Sequence, residues 1–73
     1  MHRVKINLVT FQDVQEFIAI VTPLSGNIFL EDPENGFKIN AKSLLGAMAS
    51  IEWDDIYVVS DEDVYTAISK FAE

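Results

Sequence analysis

Polar and apolar residues alternate at the start of the chain. Val4, Ile6 and Leu8 are separated by Lys5 and Asn7, the period of a strand with one buried face. The period then changes: Val14, Phe17, Ile18 and Val21 recur at i, i+3, i+4 and i+7, the stripe of an amphipathic helix. Thr10-Phe11-Gln12-Asp13 reads as its capping box, with Val9 and Val14 at the staple positions. Thr22-Pro23 should end it, because the residue before a proline is pushed out of the helical region.

Two short strands follow, Ile28-Phe29-Leu30 and Phe37 to Asn40. They are joined by the polar run Glu31-Asp32-Pro33-Glu34-Asn35-Gly36, whose Asn35-Gly36 step suits positive φ. Ser43 stands at a helix N-cap, ahead of Leu44, Leu45 and Met48; Gly46 weakens that short helix by roughly 1 kcal/mol relative to alanine. Ile56-Tyr57-Val58-Val59 is a fourth strand. Ser60-Asp61-Glu62-Asp63 predicts a second capping box, with Val59 and Val64 as staple, and Val64, Ala67, Ile68 and Phe71 repeat the helical stripe. The order is βαββαβα, an α+β chain in one domain over residues 1–73, with helices covering one face of a four-stranded antiparallel sheet and the other face left open.

One segment carries a family likeness. Asn40-Ala41-Lys42-Ser43-Leu44-Leu45-Gly46-Ala47-Met48 resembles the regulatory-serine segment of HPr, the histidine-containing phosphocarrier of the bacterial sugar phosphotransferase system. Similarity in sequence is confined mainly to residues 35–48, whereas the element order extends the resemblance along nearly the whole chain. It implies an open-faced sandwich with strand order 1-4-2-3. It also implies a bacterial, cytoplasmic setting and a protein partner docked on the Ser43 helix. In some bacteria the serine matching Ser43 is phosphorylated by a dedicated kinase. The family's active-site motif, a histidine followed two residues later by Arg-Pro, is missing: the corresponding loop here is Val9-Thr10-Phe11-Gln12. The resemblance therefore points to a regulatory or adaptor domain that carries no phosphate on histidine and is not an enzyme. The alternative is a small-ligand-sensing domain of the ACT type, although the loop after the first strand lacks the glycine such domains usually place beside the ligand. A degenerate phosphotransferase component is the third reading.

Charge and composition narrow the partners. Twelve acids against five bases give a net charge of −7, which opposes binding to nucleic acid or to anionic lipid. There is no cysteine, so neither a disulfide nor a thiolate metal site can form. The longest apolar run, Phe17-Ile18-Ala19-Ile20-Val21, is too short to span a bilayer, and the first residues show no apolar signal-peptide core.

The candidate chemistry is sparse. His2 is the only histidine and precedes the first strand, far from a helix start that could cradle phosphate. No Ser-His-Asp set, glycine-rich phosphate loop or EF-hand spacing is present. The acids Glu52, Asp54, Asp55, Asp61, Glu62 and Asp63 gather around the fourth strand, without the spacing of a calcium loop, so no metal or other cofactor is expected. Ser43 reads either as a cap or as a regulatory phosphorylation site. Leu44, Leu45 and Met48 read either as core or as partner-docking residues, with Leu45 expected to be the most buried. Phe29 and Tyr57 point away from the apolar residues beside them. On neighbouring strands they could pair, and with Val9 and Val59 make an apolar patch for weak homodimer formation.

Overall fold

The computed structural model describes residues 1–73. Its elements are β1 (His2–Ile6), α1 (Phe11–Val21), β2 (Ile28–Asp32), β3 (Phe37–Asn40), α2 (Leu44–Ser50), β4 (Ile56–Ser60) and α3 (Tyr65–Ile68), the last continued by a 3₁₀ turn, Ser69–Phe71. All strand pairs are antiparallel, in the order β1-β4-β2-β3. The expected α+β sandwich with strand order 1-4-2-3 is the fold of this chain.

Alternation decides which side of the sheet is covered. Val4, Ile6, Ile28, Leu30, Ile56 and Val58 face the helices, where they meet Val14, Phe17, Val21, Ala47, Ile68 and Phe71 in a single core. Phe17 and Phe71 meet edge to face at 5.9 Å. The opposite side carries Arg3, Lys5, Phe29, Glu31, Lys38, Asn40, Tyr57 and Val59 and has no layer over it.

The first capping box forms as the spacing predicts. Asp13 N–H donates to Thr10 Oγ1 at 3.1 Å, and the N–H groups of Thr10 and Val9 donate to Asp13 Oδ2 at 3.1 and 3.0 Å. These backbone donors hold the Asp13 carboxyl below its ordinary range. Val9, however, is 63% exposed while Val14 is fully buried, so the pair makes no buried staple.

The second capping box does not form. Ser60 belongs to β4, paired with both His2 and Ile28, and its hydroxyl donates to the Glu62 carbonyl at 2.6 Å. α3 starts five residues later, with Asp63 Oδ1 accepting from Tyr65 N–H. The sheet takes Ser60 because a central strand has backbone groups to satisfy on both sides. The apolar stripe still lands inside: Val64, Ile68 and Phe71 are buried and Ala67 packs against the core.

Asp61 and Glu62, freed from capping, close on the turn before β2. Asp61 Oδ1 accepts from Asn27 N–H at 3.0 Å, and Ser25 Oγ donates to Glu62 Oε2 at 2.9 Å. Gly26 lies between, at φ +84°, and a Cβ there would stand 2.5 Å from Asp61 Oδ1. Gly36 has φ +76° with open space around it. Gly36→Ala therefore costs only the left-handed strain, about 1–2 kcal/mol. Gly26→Ala costs more, because the carboxylates must also move; comparing denaturant midpoints of the two variants checks this order.

Candidate functional site

The Ser43 segment starts from a strand end held in place. Ala41 is fully buried and its N–H donates to the Ile28 carbonyl. Asn40 Oδ1 accepts from Lys42 N–H at 2.9 Å, and Lys42 Nζ donates to the Leu24 carbonyl at 2.6 Å, tying this end of α2 to the exit of α1. Ser43 is the N-cap: its Oγ accepts from Gly46 N–H at 3.3 Å, and the residue is exposed.

α2 turns its small residues inward. Ala47 and Ser50 are fully buried, and Ser50 satisfies its hydroxyl on the Ala47 carbonyl at 2.6 Å. Gly46 faces Ile39, where a Cβ would stand 3.0 Å from the isoleucine Cδ1. The glycine that weakens the helix is thus what lets it lie close to β3.

The large residues point the other way. Leu44 is 43% exposed, Met48 39% and Leu45 80%. The expectation for Leu45 is overturned: it is the most exposed of the three. Two residues along a helix turn by about 200°, so once Ala47 faces the core Leu45 must face water. Leu44 and Met48, four residues apart, share one flank. Exposed Phe11 opens α1, the helix that packs beside α2.

The open sheet face differs from the expected aromatic patch. Phe29 stands opposite Val59 and Tyr57 opposite Glu31, so the two rings are diagonal neighbours. Each ring lies under a cation: the Arg3 guanidinium is 3.9 Å from the Tyr57 centroid and Lys38 Nζ 4.9 Å from that of Phe29. Arg3 also donates twice to Glu31 Oε1, at 3.0 and 3.2 Å. Val59 is buried, and Val9 lies beyond the strand in the loop to α1.

His2 opens β1, exposed and opposite Ser60, while the loop to α1 leaves from the other end of that strand. No group of three or more histidine or acidic side chains converges as metal ligands would. The acids before β4 have another consequence. A hydrogen bond shared with Asp54, and then the charge of that carboxylate, hold Glu34 above the usual carboxylate range.

Asp32 is a residue that the hydrophobic pattern gave no reason to single out. It is 1% exposed at the end of β2 and accepts from Glu34 N–H, Asn35 N–H and Asn35 Nδ2, at 3.0, 3.2 and 2.8 Å. The Asn35 side chain foremost keeps its carboxyl below the ordinary range. An aspartate three residues ahead of an asparagine in a hairpin connection was the available signal.

No family model, curated protein or solved structure matches the chain.

Two outcomes test this description. Leu45→Ala should leave stability within about 0.5 kcal/mol, whereas Ala47→Leu should cost about 1–3 kcal/mol by overfilling the close contact, as read from denaturant unfolding. Asp54→Asn should lower the Glu34 titration midpoint followed by NMR. Because folding raises that midpoint, its contribution to stability is present at acid pH and lost as pH rises through it. The variant should therefore be stabilised at neutral pH, by a margin that shrinks as the solution is acidified through the carboxylate range.

Proposed function

We propose that the protein is an HPr-like regulatory or adaptor domain that works by protein–protein contact at α2, in the cytoplasm of a bacterium, without catalysis and without carrying phosphate on histidine. The observation that supports this reading is the orientation of α2. The helix buries Ala47 and Ser50 and presents Leu44, Leu45 and Met48 beside the exposed Ser43 cap. Three large apolar side chains gathered on one short helix make a patch of the kind that partners dock on, and methionine suits a surface that adapts to its partner.

Ser43 then has two compatible roles. Its hydroxyl caps the helix, and a phosphate on it would meet the N-terminal N–H groups, where negative charge is favoured. Such a phosphate would also stand beside Leu44 and disfavour an apolar partner. The loop after β1 offers Thr10 to the helix as a cap and holds no histidine, which supports the non-carrier part of the reading.

The test uses purified components of a bacterial phosphotransferase system. A kinase specific for the HPr serine should place phosphate on Ser43, located by mass spectrometry. Phosphoenolpyruvate with the general phosphotransferase enzyme should place none on His2; stoichiometric phosphohistidine would end the non-carrier reading. For docking, Leu45→Asp should abolish binding of a captured partner while leaving the unfolding midpoint unchanged, and Ser43→Asp should weaken it. A partner that binds both variants as it binds the wild type would move the interface away from α2.

A further inference from the structure

A second site lies at the far end of α2 from Ser43. The loop after β1 and the connection between α2 and β4 enclose a cleft of about 200 Å³, lined by Ile6, Leu8, Val9, Trp53, Asp54 and Glu73, among others. We propose that this cleft binds a small organic cation with an apolar body, a primary alkylammonium or a molecule carrying one.

Size sets the first limit. The volume equals that of about seven water molecules at ~30 Å³ each, enough for a short alkyl chain with its headgroup and too little for a nucleotide. The lining sets the second. Ile6, Leu8 and Ile56 form a buried floor, and partly buried Ile51 and Trp53 with exposed Val9 make the walls. The apolar surface that reaches the cleft comes from Ile51, Trp53 and Val9 and stands beside polar groups, so the cleft takes a short alkyl chain with a polar head. The Trp53 ring is already positioned, because Phe37 stacks on it at 6.4 Å and 26°. Indole is the side-chain ring that attracts a cation most strongly, and Trp53 lines this cleft.

Charge sets the sign. Asp54 and Glu73 line the cleft and no lysine, arginine or histidine does. The nearby base, Lys5, is engaged by Asp55 at 3.2 Å and Glu73 at 3.3 Å. Asp54 makes no ion pair. An ammonium entering the mouth would meet the unpaired carboxylate of Asp54, while an anion would meet the same carboxylate with no free base lining the cleft. Binding here is independent of partner docking at α2, so either idea can fail alone.

Trp53 is the only tryptophan, so the site carries its own reporter. Intrinsic emission of the intact protein is titrated with hexylammonium, hexanol and hexanoate, with amide shifts of Asn7, Ile51 and Asp54 as a second readout. Hexylammonium should change emission saturably and bind about tenfold more tightly than hexanol, with hexanoate weakest, since the headgroup gains both a charge-assisted hydrogen bond and the indole face. Asp54→Asn should erase the preference for the ammonium. Val9→Arg, at an exposed position, should abolish its binding while leaving the fold intact. Equal affinity for hexanol and hexylammonium would overturn the cationic assignment. Absence of a saturable change in both readouts would overturn the site.

Discussion

The fold depends on the insertion of β4 between β1 and β2. Every strand pair in the sheet except β2–β3 passes through residues 56–60, which come late in the chain and must enter a slot between residues 2–6 and 28–32. Until they do, Val4 and Leu30 have no neighbour between them and the floor under α1 is incomplete. Val58 sits opposite both Val4 and Leu30, so one residue closes the core across three strands. Ser60 closes the backbone ladder in the same way, opposite His2 and Ile28. These are long-range contacts, those to β1 the longest, and the entropy of closing the intervening chain must be met before they repay it.

α2 follows from that sheet as its smallest covering piece. Seven residues cannot bury large side chains on one side and stay close to β3 on the other. The chain resolves this with Gly46, Ala47 and Ser50 inward, which brings the helix down onto Ile39 and turns its large residues out. The connection after α2 then runs on to β4 and, with the loop after β1, lines the cleft at Trp53.

Much of this was legible in the sequence. The 2- and 3.6-residue periods located β1, α1, β4 and the stripe from Val64 to Phe71, and Thr10 with Asp13 located a helix start. What failed did so where tertiary pairing outbid a local signal. Ser60 has the chemistry of a cap, yet a central strand claimed it. Leu45 has the hydrophobicity of a core residue, yet the approach of Ala47 to the sheet turned it outward. Phe29 and Tyr57 were correctly placed on the open face. Their covering by Lys38 and Arg3 depends on strand register, which periodicity alone does not set. The cleft was beyond reach for the same reason: its walls come from residues 6–9 and 51–56, which only the closed sheet brings together.

The placement of the bases has a consequence for how copies of the chain meet. β1 and β3 are the two edges of the sheet, and an unguarded edge is a template for pairing with another chain. In a protein of net charge −7 with only five bases, Arg3 and Lys5 stand on one edge and Lys38 on the other. Along β1 the backbone is also engaged: Asn7 N–H donates to the Phe71 carbonyl and Glu73 N–H to the Lys5 carbonyl, so residues 71–73 cover half of this edge. With residues 71–73 lying along β1, Lys38 on β3 is the charge that blunts the remaining edge against open-ended strand addition, in a small chain of which 49% is hydrophobic.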